Sequence, residues 1–431
     1  MEHELGQRMR KTTRLHLAME GEETLQRLAE FPERLAAMDY FYSLFRDLAN
    51  GAGPASLAGG RKIVATMCMQ VPQELILAVG AYPWRLCSGA NAYDQVGAEF
   101  MPAKSCPVVR STLGMLKLNQ SLWGEDLGGV VVPTTCDQKK KACEQLAALG
   151  YPVYSLEMPA GKDSELSRYY WQESVKQFAI ALERMVGRRV TAAGLRQAIG
   201  QVGRAAALFR QLHRLRGNRP PLILGSDLFL VYNAYFLADI ERWCQAVEAL
   251  LAELEQRRQG EVRVTNRRAP RLLFTGSPPI FPNFKLPVLV EQSGGIIVAD
   301  ESCSSTRLLS DAVAYDEAGL NDMVPAVADR YLKPCTCPCL TPNHDRLRKL
   351  LAMIDEFAVD GVVYQAFSGC LPYEMERRQV NEILSARGTP MLYVETDYSP
   401  EDSGQLSTRV EAFIESIKAR KRKTARKKRE I

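Results

Sequence analysis

Four cysteines of this 431-residue chain stand just past short, β-branched runs. Cys68 follows KIVAT, Cys136 follows GGVVV, Cys303 follows IIVAD and Cys370 follows VVYQAF. Three of them then meet a stretch of helical spacing: the segment from Pro72 after Cys68, QKKKACEQL after Cys136 and PYEMERRQVNEIL after Cys370. Open α/β sheets bind their ligands at this point, where the carboxyl end of a strand leads into a helix. A thiolate there gains from the positive end of the helix and from nearby backbone N–H groups. Two of the four fall in each half of the chain, a recurrence that packing alone hardly produces. Cys106, in AKSCPVVRS, sits in a Pro-containing loop, and KPCTCPCLTPN adds Cys335, Cys337 and Cys339 at alternate positions. That spacing suits an extended loop around a soft metal.

There are eleven cysteines in all. An odd count in a large chain that reads as intracellular argues against a disulfide framework, which leaves metal binding or burial as small apolar residues. Cys87, Cys143 and Cys244 read as packing residues, the last two on the apolar faces of helices. Zinc calls for four ligands, usually in paired CxxC or Cys-His units, and neither unit occurs. His3, His16, His213 and His344 are scattered, with only His344 near a cysteine cluster. Thiolate-rich, histidine-poor ligation drawn from both halves points to iron-sulfur.

The elements that must position these thiols follow from the hydrophobic period. Residues 1–60 are helical in character, with apolar spacing from Glu23 to Leu48, and end in the turn or linker GAGPASLAGG. From 61 to 160, strand-like runs alternate with helical stretches, which predicts βαβ units and a mostly parallel sheet. From 161 to 265 the period is helical almost throughout, with Trp171, Val175, Phe178 and Leu182 on one stripe and Thr191 as an N-cap. The alternation resumes over 266–417 with RLLFTG, GGIIVAD, DGVVYQAF and TPMLYVETD, then a helix from Gly404 to Ile417. The prediction is an α/β protein of two Rossmann- or flavodoxin-like parallel-sheet domains, with an N-terminal helical segment and a helical connector.

Charge and hydropathy exclude several classes. Residues 418–431 hold nine Lys or Arg against Glu430, a surplus of eight; removing it from the net +5 leaves a body near −3, no nucleic-acid surface in its own right. The tail reads as a disordered, solvated end, with RNA, anionic lipid or an acidic partner as its alternative contacts. The opening residues lack a secretory pattern, and no apolar run reaches the ~20 residues needed to cross a bilayer. Pro221 to Ile240, the most apolar stretch, is interrupted by Asp227 and Asn233 and reads as a buried strand or helix pair. The expected location is the cytoplasm. A Walker loop is absent, since Arg61-Lys62 runs into Ile63, and no dinucleotide or flavin fingerprint follows a strand.

Taken together, Cys106-Pro107 with Arg110, Cys136-Asp137 at a strand-to-helix turn, Cys370 with Pro372 and Glu374, and the ending GQLSTRVEAFIE resemble the subunits of 2-hydroxyacyl-CoA dehydratases and benzoyl-CoA reductases. The resemblance runs from about Lys62 to Ile417. It implies that Cys106, Cys136 and Cys370 hold one iron-sulfur cubane with an open position on iron. The further cysteines at Cys68, in DESCSSTR and in CTCPCLTPN resemble the double-cubane branch of that family. In that branch six cysteines per subunit of a homodimer hold an 8Fe-9S cluster. The carry-over adds Cys68, Cys303 and one thiol of the CTCPC loop, Cys337 first and Cys339 next. It also implies a separate ATP-hydrolysing activator with its own 4Fe-4S cluster, whose electron is passed on to reduce a small molecule.

Two other readings stay open. One is a dehydratase subunit with a single 4Fe-4S cluster and a CoA thioester substrate. The other is a non-catalytic zinc or iron-sulfur scaffold centred on CTCPC. Glu74, Asp137, Glu301 and Glu374 lie near the thiols and read as helix-start carboxylates answering the dipole rather than proton donors.

Overall fold

The computed structural model describes residues 2–118, 123, 126–260, 262–307 and 311–427. Two four-stranded sheets organise it. The first contains β1 (Ile63–Thr66), β2 (Tyr82–Arg85), β3 (Leu127–Pro133) and β4 (Val153–Leu156), in the order β2-β1-β3-β4. The second contains β5 (Arg271–Gly276), β6 (Ile296–Glu301), β7 (Gly361–Phe367) and β8 (Met391–Thr396), in the order β6-β5-β7-β8. Every strand pair is parallel. The two sheets therefore repeat one topology, the flavodoxin-like order with its switch point between the first and third strands of each, and the α/β expectation holds.

Alternation along the strands decides what lies on each face. Val64 and Val131 of the first sheet share one core with Leu272, Phe274 and Val363 of the second. Ile63, Ala65, Val130 and Val132 point the other way into a separate core, as do Leu273, Val298, Val362 and Tyr364. Both faces of both sheets are thus covered, as parallel sheets require. The shared core is completed by the helices Glu165–Val186, Ala192–Leu215, Gly225–Tyr235 and Ile240–Gln259. Trp171, Val175, Phe178 and Leu182 are fully buried in it, so Trp171→Ala costs about 3–5 kcal/mol. Thr191 does cap its helix, its hydroxyl accepting from Gly194 N–H at 3.0 Å.

Several local readings change. Pro221 to Ile240 contains no strand; Gly225–Tyr235 is a helix buried on all sides, so its even hydrophobicity carries no amphipathic period. The N-terminal pattern divides into Glu2–Ala29 and Asp39–Ala49, broken around Pro32, and GAGPASLAGG encloses a short helix, Pro54–Ala58. The last helix does not stop at Ile417. It spans Ser403–Lys427, because Lys, Arg and Ala are strong helix formers and Lys418 and Lys421 pair with Glu415 and Asp360. The basic tail is therefore helical through Lys427, and residues 428–431 lie outside the described residues. Among the described residues no helix is long and apolar enough to cross a membrane.

Candidate metal centre

Because all strands of a sheet are parallel, all their carboxyl ends share one edge. Cys68 follows β1, Cys87 follows β2, Cys136 follows β3, Cys303 follows β6 and Cys370 follows β7. The edges of the two sheets face each other. The Cys370 thiol donates to the Cys106 sulfur, Cys303 and Cys68 act on one another electrostatically, and Cys136 feels Cys106 and Cys337. Nine thiols thus gather between the domains, all seven predicted ligands among them: Cys68, Cys106, Cys136, Cys303, Cys337, Cys339 and Cys370. Cys335 and Cys87 join them. Cys143 and Cys244 do not: they sit within the helices Asp137–Ala148 and Ile240–Gln259. All eleven are free thiols.

Within this group, three thiols share one construction. Cys136 and Cys370 are the N-cap residues of Asp137–Ala148 and Leu371–Ala386, and Cys106 immediately precedes the helix Pro107–Leu118. The expected Pro-containing loop is therefore itself a helix start, with Pro107 in its favoured first position. Backbone N–H groups of Val108 and Val109 point at the Cys106 sulfur, that of Lys139 at Cys136 and that of Tyr373 at Cys370. Gln138 ties the three segments: its amide accepts from Cys106 N–H at 2.7 Å and donates to Gly369 O at 2.7 Å. Gly369 has φ +78°, and a Cβ on it would meet Lys104 O at 1.9 Å, so only glycine lets the Cys370 loop press against the Cys106 loop. Arg110 anchors that loop through Asp94 at 2.7 and 2.5 Å, and Glu374 accepts from Gly369 N–H at 2.9 Å. The hydrogen bond with Cys370 lowers the Cys106 thiol pKa, whereas that bond and burial raise Cys370.

The 335–339 loop adds main-chain contacts of its own, the Cys337 N–H meeting the Cys335 sulfur and the Cys339 N–H the Cys337 sulfur, and buried side chains stand beside them. Gln70 donates to the Cys335 sulfur at 2.6 Å, and burial pushes that thiol up to about 12. Cys337 takes a hydrogen bond from Cys339, which together with Arg307 and Lys139 outweighs burial and brings it down to about 6; Cys339 is raised by the same contact. Arg85 donates to Cys303 O at 3.3 Å and stacks on Phe236 at 4.0 Å. A small void beside it, about 20 Å³ and so room for about one water, is lined by Thr66, Cys68, Trp84 and Arg85. Asn343 donates to Cys337 O at 2.9 Å, and Lys162, from the start of the connector, donates to Cys335 O at 2.9 Å.

Among the described residues Arg85, Arg307 and Lys139 each act on two or more of these thiols. Burial draws Lys139 down, but Cys68, Cys136, Cys87 and Cys339 outweigh it and hold its pKa well above the ordinary lysine range. Sequence reasoning missed all three, along with Gln138 and Cys87. Lys139 falls one helical turn after Cys136, which was a usable signal; its neighbours Lys140 and Lys141 are exposed, and composition alone does not separate them. Cys87 was masked because YPWR does not read as a strand. Asp137 and Glu374 are helix-start carboxylates as expected, but Glu301 ends a strand and is fully buried against Arg307 and Arg346. Glu74 does stand in the first turn of its helix, Gln73–Ala78, as expected, and is buried there, accepting from the Tyr331 hydroxyl at 2.8 Å.

The donor set fits an iron-sulfur group. It is all thiol, drawn from both sheets, and faced by helix N-termini and cations that favour an anionic occupant. Buried polar atoms without a partner also gather here: Gln70 Oε1, Arg85 Nε, Thr135 Oγ1, Asn343 Oδ1 and the Tyr398 hydroxyl. Among the described residues no three His, Cys, Asp or Glu donors close on one point as a single ion requires. A cubane spreads its thiolates wider than a single ion does.

The family model for "2-hydroxyglutaryl-CoA dehydratase, D-component" matches residues 68–417, beginning at the first of these thiols. YjiM of Escherichia coli (strain K12), provisionally named a dehydratase subunit, is 33% identical over 360 residues, 83% of this chain and 92% of that protein. One of the subunits of the benzoyl-CoA reductase of Thauera aromatica is 25% identical, covering 83% of this chain and 91% of that one. The beta subunit of (R)-2-hydroxyglutaryl-CoA dehydratase of Acidaminococcus fermentans is 22% identical, covering 84% and 93%. With most of its length matched and its thiols in the matched span, the chain belongs to the 2-hydroxyglutaryl-CoA dehydratase D-component family.

Proposed function

We propose that this chain is an iron-sulfur reductase. In this reading Cys68, Cys106, Cys136, Cys303, Cys337 and Cys370 hold an 8Fe-9S double cubane, with Cys339 the alternative to Cys337 in the loop. The observation that carries it is the meeting of thiols from both sheets in two groups, more than one cubane needs. Cys337 is favoured in its loop because Arg307 and Lys139 face it, while the Cys335 sulfur is already engaged by Gln70. When bound, such a group supplies low-potential electron transfer. The chain's own residues bury it, hold Cys106, Cys136 and Cys370 at helix N-termini and balance its charge with Arg85, Lys139 and Arg307. Electrons come from an ATP-hydrolysing partner with a 4Fe-4S cluster, and the acceptor is a small molecule. A cytoplasmic homodimer with units at 1–60, 61–160, 161–265 and 266–417 belongs to the same proposal.

A second reading is favoured by the names of the relatives: a dehydratase subunit with one 4Fe-4S cluster on Cys106, Cys136 and Cys370, acting on a 2-hydroxyacyl-CoA with a different subunit. One experiment separates the two. The anaerobically purified chain is mixed with an activator of this kind and ATP, and the visible iron-sulfur absorbance and sedimentation mass are followed. ATP-dependent bleaching of a homodimer on its own supports the reductase. Bleaching and water loss from a 2-hydroxyacyl-CoA only after a second, different subunit is added supports the dehydratase.

A further inference from the structure

Cys303 and the 335–339 loop have no helix N-terminus directly beneath them, and a buried ion network stands in its place. Glu301 ends β6, two residues before Cys303. Its Oε1 accepts from Arg307 Nε at 2.5 Å and from the Thr336 hydroxyl at 2.7 Å. Its Oε2 accepts from the second Arg307 nitrogen at 2.7 Å and from Arg346. Arg307 goes on to donate to the Tyr373 hydroxyl at 2.7 Å, and Arg346 to Glu376 at 2.6 Å. Glu301 and Arg346 are wholly buried, and Thr336 is 2% exposed.

Three of these contacts lead to a thiol-bearing segment. Thr336 stands between Cys335 and Cys337, Arg307 lies four residues after Cys303, and Tyr373 three after Cys370. One carboxylate thus reaches its own Cys303 segment and two others, neither of which it adjoins through a sheet ladder. Stability alone does not explain the arrangement, because apolar side chains of similar volume generally serve a core as well as a buried ion cluster does. A fully satisfied network instead fixes one geometry, and ligand partners of this kind set how tightly a metal is held.

We propose that Glu301 is a positioning residue for the cluster ligands: through Thr336 and Arg307 it holds the Cys337 loop, the Cys303 loop and the Cys370 helix in the one relative placement from which they share a cluster. The inference rests on the iron-sulfur reading above. Glu301 itself takes no proton or electron role in it.

Glu301→Gln strands two buried guanidinium groups and endangers the fold, so Thr336→Val is the sharper variant, with Thr336→Ser as the rescue. In the metal-free chain, alkylation of Cys337 and Cys339 by iodoacetamide, read by mass spectrometry, is expected to run about tenfold faster in Thr336→Val, the effect of losing one hydrogen bond to a charged group. Thr336→Ser should restore the rate. In the chain loaded anaerobically with iron and sulfide, iron should be lost to a chelator about 10–100-fold more readily in Thr336→Val. Unchanged alkylation overturns the positioning role whatever the iron content, and so does iron loss equal to wild type. If the wild-type chain takes up no iron while Thr336→Val still alkylates faster than it, the iron-sulfur reading falls and the positioning of the loop stands.

Discussion

The two thiol groups at the interdomain edge are held by different means. Cys106, Cys136 and Cys370 sit at helix starts, their sulfurs met by backbone N–H groups and their segments joined by one glutamine and one glycine. Cys303 and Cys337 depend on Glu301, Arg307, Thr336 and Arg346, side chains scattered over 45 residues of sequence that meet only when the second sheet and its helices have packed. The first construction is local and made of main chain, which any α/β sheet provides at its carboxyl edge. The second adds to one loop N–H at Cys337 a buried charge network that only tertiary packing assembles. A site built in both ways can keep the first group while the second loosens, but the reverse is harder, because Cys370 belongs to both through Tyr373.

That asymmetry sets the order of effects. Cys370→Ser should abolish essentially all bound iron, and Cys136→Ser nearly all, measured as iron per folded chain. Cys303→Ala should leave about half, since the helix-start thiols suffice for one cubane; complete loss would mean that the two groups load together and would break the comparison. Gly369→Ala should cost about 1–3 kcal/mol in denaturant unfolding, from the left-handed backbone and the encounter with Lys104. Gln138→Ala should cost about 1–2 kcal/mol for its two hydrogen bonds while keeping most of the iron, sharpening the claim that main chain carries the first group. Cys143→Ala and Cys244→Ala should leave iron unchanged.

The same asymmetry decided what the sequence revealed. β-branched runs ending in cysteine marked Cys68, Cys136, Cys303 and Cys370 because strand, turn and helix are local signals. YPWR gave no such signal, so β2 and Cys87 at its end went unread. Trp171 to Leu182 was legible as a helix face because its period survives burial on one side only, whereas Gly225–Tyr235, buried all round, has no period to read. Glu301 was taken for a helix-start carboxylate because its partners Thr275, Arg307, Thr336 and Arg346 are brought to it only by the fold. Lys139 was lost among three lysines, of which helix geometry turns just one toward the thiols.

The most direct test of the account is iron and acid-labile sulfide per chain in protein purified without oxygen. About eight irons and nine sulfides are expected if both thiol groups are ligands, against about four irons if the helix-start group acts alone. Zinc without sulfide would contradict the account outright.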